Sequence, residues 1–259
     1  MKKYRILLSG SAALLLLALS GCFFSPETEI TARHTASQLK LNGKLDDPVW
    51  HKTPVYLLEH GEDQFRDLPA EVRAPFRNGV IERGKARVLW DEKYLYFGFE
   101  LTDLDMVSES NGDQDRQDLK GDAVSVFLKP LNRSWYWEIQ ITPQGRSSVF
   151  FYPGRGVCGM PGCRPAKPAF TGIKAFASGK GSLNNNWDTD KKWTAEIALP
   201  RAEIGRAGEN LDPEIPWLVS FRRVNYGRGL PIAEISAFPG AAAADFHYFE
   251  KYGRLKMVK

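Results

Sequence analysis

Short runs of β-branched and aromatic residues alternate with polar positions along most of this chain, and no segment carries a long apolar stripe at the helical period. Lys85–Trp90 and Tyr94–Leu101 flank a turn at Asp91–Lys93 and predict a hairpin. A second hairpin is predicted from the stretch Asp118 to Leu128 and the run Trp135–Thr142, joined by a loop punctuated with Pro130 and Asn132. The two-residue period of a strand then sorts its side chains. With Ile139 and Ile141 toward the core, Tyr136, Glu138 and Gln140 stand together on the opposite face, and Ser125 points away from Val124 and Val126. A sheet face of Tyr, Glu, Gln and Ser suits a polar ligand.

Further strands are predicted at Ile173–Ala177, Trp193–Pro200, Trp217–Asn225, Ile232–Phe238 and Tyr252–Val258, with one helical turn over Arg201–Gly205. Gln38 to Trp50 predicts a short strand, a turn at Asn42–Gly43 and a Pro48-opened turn presenting Trp50. Residues 59–84, 102–120 and 145–168 read as long loops. Nearly every connection lacks a helix, so the sheets are expected to be antiparallel and to bury their apolar faces against each other. The expected fold class is all-β: one antiparallel β-sandwich of jelly-roll or immunoglobulin-like two-sheet architecture, with long loops.

The N-terminus lies outside this pattern. Lys2, Lys3 and Arg5 precede an apolar run, Ile6 to Leu19, which ends in Leu19-Ser-Gly-Cys22. This resembles a bacterial lipoprotein signal, implying a signal peptide over 1–21, a lipidated Cys22 and a tether over 22–37 before a domain at 38–259. The apolar run is short for a bilayer span. Phe23 after the cysteine favours the outer membrane over the inner one by the same resemblance. Removing the three cations of 1–21 takes the formal net charge from +4 to +1. A near-neutral chain with no Lys/Arg stripe argues against a nucleic-acid partner. In an exported protein Cys158 and Cys163 read as a small loop-pinning disulfide, since zinc would need two more ligands and no His or Cys flanks them.

Five motifs in order then carry a resemblance: Asn42–Trp50, Val88–Gly98, Gly121–Leu128, Trp193–Pro200 and Tyr252–Leu255. From about residue 38 to the C-terminus the chain resembles family 9 carbohydrate-binding modules and their DOMON-like relatives. The resemblance implies a non-catalytic β-sandwich that binds an oligosaccharide or polysaccharide, works beside glycoside hydrolases, and often holds structural calcium. Family members clamp a sugar ring between two tryptophans, and here those positions are Leu119 and Phe246. Glu138 stands where members can place an Arg, and Arg222 where they can place a Gln.

The candidate ligand residues are Glu138, Gln140, Arg222, Trp137, Tyr226, Phe246 and His247, with Trp135 and Tyr248 as further stacking candidates. Glu138, Gln140, Glu196 and Arg222 fall at alternate strand positions and form either a hydrogen-bonding floor for sugar hydroxyls or an internal network that satisfies itself. Trp50, Trp90 and Trp193 read as core. Asp103, Asp105 and Asp118 are either a calcium site or a solvated acidic loop, and Asp188 and Asp190 are a second such candidate. Glu138 and Glu196 could be read as a glycosidase pair only if they face each other. No His-Glu-x-x-His or Gly-x-Ser-x-Gly occurs, so metalloprotease and serine hydrolase chemistry have no foothold. The alternatives to sugar binding are a DOMON-like haem or redox module, with Met106 or His247 on the iron, and a structural or interaction lipoprotein without ligand.

Overall fold

The computed structural model describes residues 28–36, 38–61, 64–155, 164–165, 170–240 and 245–259. The expected signal peptide, lipidated Cys22 and Cys158–Cys163 disulfide therefore lie outside the described residues. The strands are β1 (Glu29–His34), β2 (Tyr56–Leu57), β3 (Gly84–Trp90), β4 (Tyr94–Thr102), β5 (Ala123–Pro130), β6 (Tyr136–Ile141) and β7 (Ser147–Tyr152). They continue as β8 (Arg164–Pro165), β9 (Lys174–Lys180), β10 (Lys192–Pro200), β11 (Trp217–Asn225), β12 (Glu234–Phe238) and β13 (Gly253–Val258). Two one-turn helices, α1 (Ala70–Arg73) and α2 (Arg201–Ile204), complete the regular elements with a few 3-10 turns.

All thirteen strands belong to one hydrogen-bonded sheet in the order β8-β7-β6-β5-β11-β13-β1-β3-β4-β10-β9, with β12 beside β11 and β2 beside β3. The fold is all-β as expected, but it is not two separate antiparallel sheets. Strand β1 runs parallel to β13 over Glu29–Arg33 and parallel to β3 at Arg33 and His34, and so joins the two halves into a mixed sheet. Its residues fall within the expected tether. Ile30 and Ala32 are fully buried while Glu29 is exposed, so the ordered fold begins at least nine residues earlier than residue 38. The sequence Glu-Ile-Thr-Ala-Arg-His does alternate, though over too few residues to stand out from a linker. Gln38 to Asn42, expected as a strand, instead runs as irregular chain with Leu39 buried.

The inner faces of the two halves meet in one core. Phe97 and Phe99 of β4 pack edge-on to Phe221 of β11, with ring centroids 5.9 and 5.8 Å apart. Val126 of β5, Ile139 of β6 and Ile197 of β10 join them at zero exposure. Each such side chain contributes about 1.5–3 kcal/mol relative to exposure. Trp137 belongs here too. It is buried at 3% exposure among these residues, and its Nε1 donates to the Ile204 carbonyl at 3.0 Å. This corrects its assignment as a sugar-stacking residue: position 137 shares parity with Ile139 and Ile141, so it must face inward. Trp135 also packs against the core, beside Trp137 and Trp217.

Strands β5 and β6 are buried along their whole length. One face looks into the core. The other is roofed by the acidic loop before β5 and by residues 245–252, which makes this half of the sheet the place to look for a site.

Candidate functional site

The roofed face is set out by register. Ser148, Gln140, Ser125 and Arg222 lie in one row across β7, β6, β5 and β11, and Phe150, Glu138, Phe127 and Ser220 lie in the next. Tyr136 and Tyr152 follow, stacked with ring centroids 4.5 Å apart. Antiparallel pairing thus gathers the polar residues of alternate positions on four strands, as the period of two requires.

Glu138 is the hub of the floor and is fully buried. Its Oε1 accepts from Ser125 Oγ at 3.1 Å and Gln140 Nε2 at 2.8 Å, and its Oε2 accepts from Tyr152 OH at 2.5 Å. Burial, reinforced by the nearby charge of Asp118, pushes its carboxyl above the usual range. Burial and the Glu138 charge likewise push the Tyr152 phenol up, so the hydroxyl remains a donor. Gln140 Oε1 accepts from the Gln117 backbone at 3.0 Å, and Gln117 Nε2 donates to Ser148 Oγ at 3.0 Å. Glu138 and Gln140 are therefore saturated by the protein. They form a foundation that fixes the loop above rather than a surface that meets solvent.

The upper layer holds the charges and the rings. Arg116 grips Asp118 through Nε at 3.1 Å and Nη2 at 3.0 Å, the paired geometry that suits a carboxylate. Burial alone would raise Asp118, but the Arg116 guanidinium, helped by Gln140 and the Arg222 charge, offsets it and holds the carboxyl below its usual value. Arg222 Nη1 lies 3.7 Å from Asp118 Oδ2, and its guanidinium sits 4.7 Å from the centre of the Phe246 ring. Tyr226 OH donates to the Asp118 carbonyl at 3.1 Å. His247 Nδ1 is bonded to Tyr136 OH, and burial pushes its imidazole below the usual value, so it is neutral at pH 7. Leu119 is 68% exposed and Tyr248 46% exposed at the mouth.

Of the expected ligand residues, then, Glu138, Gln140, Arg222, Tyr226, Phe246 and His247 are brought to one face and Trp137 is not. Glu196 resolves as structural. It lies in the other half of the sheet, on β10, where Oε2 accepts from the Asn42 and Gly43 backbones at 2.8 and 2.7 Å and Oε1 from Trp50 Nε1 at 2.8 Å. The two glutamates do not face one cleft, so the paired-carboxylate arrangement of a glycosidase is not formed by them.

The three aspartates proposed for calcium are dispersed. Asp103 meets Arg223 Nη2 and Trp193 Nε1, both at 3.0 Å. Asp105 accepts from the Arg228 backbone at 2.8 Å, with the Arg228 side chain at 3.3 Å, and Asp118 is held by Arg116. Each carboxylate already has an arginine, which does not fit a shared cation. Asp190 instead caps the backbones of Met106 and Ser182 at 2.7 and 2.8 Å. Among the described residues no group of three or more His, Cys, Asp or Glu side chains converges on a metal position. Met106 is buried in the core, and His247 Nδ1 is bonded to Tyr136 OH.

Sequence reasoning missed Arg116, Gln117, Ser148 and Tyr152. The last two sit on β7, in a stretch read as loop, although Ser147-Ser-Val-Phe-Phe-Tyr152 is a β-branched and aromatic run that could have revealed it.

The sequence matches no protein-family model and no curated protein. The likeness lies in three dimensions. A Bacteroides uniformis structure, described as a candidate carbohydrate-binding protein, superposes with a TM-score of 0.66 at 12% identity, covering 89% of this chain and 99% of that one. A family 9 carbohydrate-binding module of Caldicellulosiruptor kristjanssonii in complex with cellotriose superposes with a TM-score of 0.51 at 10% identity, covering 89% of this chain and 94% of the module. This chain has the family 9 carbohydrate-binding-module fold. The same Caldicellulosiruptor module in complex with glucose gives a TM-score of 0.51 at 9% identity over 88% and 95% of the two chains. In this family 9 fold Phe246 covers the polar face at the Arg222 guanidinium, and the exposed Leu119 follows Asp118 directly in the chain.

Proposed function

We propose that this protein binds carbohydrate without cleaving it, on the face roofed by Leu119, Phe246 and Tyr248, as an exported lipoprotein anchored through Cys22 to the outer membrane. In this reading it captures an oligosaccharide or polysaccharide for partner glycoside hydrolases. The observation that carries it is the layered site itself. Above a buried polar foundation Arg222, whose Nε and Nη1 make no hydrogen bond among the described residues, lies against the Phe246 ring and so offers charge-assisted hydrogen bonds next to an apolar surface, which is the pairing that sugar hydroxyls and CH groups require. The relatives in complex with cellotriose and glucose lend the fold-level analogy. The lipoprotein and outer-membrane part rests on Leu19-Ser-Gly-Cys22 and Phe23 alone.

The test is affinity electrophoresis through gels holding soluble β-glucan, xylan, mannan or pectin. At least one polymer is expected to retard the protein, Arg222→Ala and Phe246→Ala to lose that retardation, and Leu119→Trp to strengthen it by adding a second ring at an exposed position. Absence of retardation by every polymer at millimolar sugar would overturn the proposal. Radiolabelled palmitate incorporation, lost in Cys22→Ser, tests the anchor separately.

A further inference from the structure

Trp187 stands out on the surface. At 96% exposure its indole lies in solvent and adds nothing to the core. The loop that carries it is nonetheless firmly held. Asn184 exchanges two bonds with the backbone of Ser108, both at 2.8 Å, and adopts a left-handed conformation with φ of 55° to do so. Ser182 Oγ donates to Asp188 Oδ2 at 2.7 Å, Asn185 Nδ2 donates to Ser182 Oγ at 2.9 Å, and the Trp187 backbone donates to Asn185 Oδ1 at 3.2 Å. Arg228 closes the loop from outside, bonding the carbonyls of Asn186 and Asp188 on either side of the tryptophan while its own backbone donates to Asp105. A large ring presented to water on a pre-ordered loop is suited to binding, because little side-chain and loop entropy remains to be lost.

The surroundings decide what it binds. From Ser182 to Asp190 the loop carries three amides, a serine, a threonine, two carboxylates and no cation. The loop itself is acidic, and the basic side chain beside the ring, Arg228, is already engaged by the Asn186 and Asp188 carbonyls and by Asp105, which disfavours an anionic membrane surface. Asn186, Asp188 and Thr189, the exposed polar residues next to the indole in the chain, instead match a sugar, whose CH face stacks while its hydroxyls bond at the rim. The loop is also coupled to the candidate site by the chain itself. Strand β11 carries Arg222, Tyr226 beyond its end bonds the Asp118 carbonyl, and Arg228 two residues later holds the Trp187 loop. Arg228 lies six positions after Arg222, so their Cα atoms are at most about 20 Å apart.

We propose that Trp187 is the platform of a second glycan subsite, engaging a distant unit of a polysaccharide whose terminal portion occupies the face beside Arg222. This rests on the function proposed above. Trp187→Ala and Trp187→Phe are compared with the wild-type protein on the polymer of the β-glucan, xylan, mannan and pectin panel that retards it, and on the matching disaccharide. Trp187→Ala is expected to weaken retention by the polymer roughly three- to tenfold, as loss of one aromatic contact does, to leave disaccharide binding unchanged, and to be rescued in part by Trp187→Phe. The polymer is also expected to shield the exposed tryptophan fluorescence from acrylamide, a signal specific to Trp187 because Trp50, Trp90, Trp137, Trp193 and Trp217 are buried and Trp135 is half-buried. Equal retention of wild type and Trp187→Ala overturns the platform while leaving the proposed function intact. Shielding by phosphatidylglycerol vesicles in place of the polymer overturns it too. Failure of every polymer to retain the wild-type protein overturns both proposals together.

Discussion

Replacing Glu196 by Ala offers a direct measure of how the N-terminal loop is fastened. The carboxylate is 1% exposed and takes three donors: the backbones of Asn42 and Gly43 and the indole of Trp50. Hydrogen bonds to a charged acceptor contribute about 1.5–3 kcal/mol each, and a donor left buried without a partner costs about 1–3 kcal/mol. The three donors belong to one short segment that can relax together, so the losses do not sum in full, and about 4 kcal/mol is expected. Gly43 limits that relaxation. Its φ is 80°, and an added Cβ would stand 2.6 Å from the Ala177 backbone, so the turn is held against β9. Glu196→Gln retains an acceptor for the two backbone groups but turns its amide toward the indole, and should cost only about 1–2 kcal/mol. Urea unfolding followed by fluorescence reads both variants as shifts in midpoint at constant slope. A loss below about 1 kcal/mol for Glu196→Ala, or Gln behaving no better than Ala, would refute the argument. Glycan retention by the folded variant should be unchanged, since the residue lies on the other half of the sheet.

Three further outcomes are expected. Trp137→Ala should destabilise by about 3–5 kcal/mol in the same unfolding assay, as a core truncation does, whereas Tyr248→Ala at the mouth should stay within about 0.5 kcal/mol. Glu100 is held down to about 2 by hydrogen bonds from Lys85 and Lys192, both at 2.9 Å. A carboxyl depressed in the folded state adds stability that is complete above its unfolded value and is lost as pH falls toward 2. Acid unfolding between pH 4.5 and 2 should therefore be less steep in Glu100→Gln than in the wild type. Arg223 is fully buried against Asp103 and the Glu82 carbonyl, and Arg223→Met should cost about 3–5 kcal/mol. Burial already raises both Glu82 and Asp103, so without the arginine their ionisation opposes folding more strongly. The thermal-melt deficit of that variant should accordingly be larger at pH 8 than at pH 5.

How far the molecule could be read from its residues depended on how local the signal was. Lys85–Leu101 and Trp193–Pro200 are long alternating runs and were legible within a residue of their observed ends. The polar face was legible because Tyr136, Glu138 and Gln140 share one parity on a single strand. The same rule placed Trp137 inside, but aromatic character near a strand end outweighed parity in the reading of that residue. The roles of Glu196 and Asp103 were not legible, because their partners lie 146 to 154 and 90 to 120 positions away and only the fold brings them together. Arg116 and Gln117 belong to the same class: their meaning appears only once the acidic loop is laid over β6.

The placement of β1 has a mechanical consequence. Its ladder to β13 spans five residue pairs, and both neighbours run in its own direction. A pull on the segment ahead of Glu29 therefore enters the sheet along the strand axis and loads the hydrogen bonds side by side, in shear, instead of opening them one after another. A protein fastened at that end and pulled by a bound polymer would meet the tension with a ladder whose bonds share the load. Single-molecule extension from residue 28 should give a higher rupture force than extension across the antiparallel β6–β7 hairpin, where pulling at the turn peels bonds in succession.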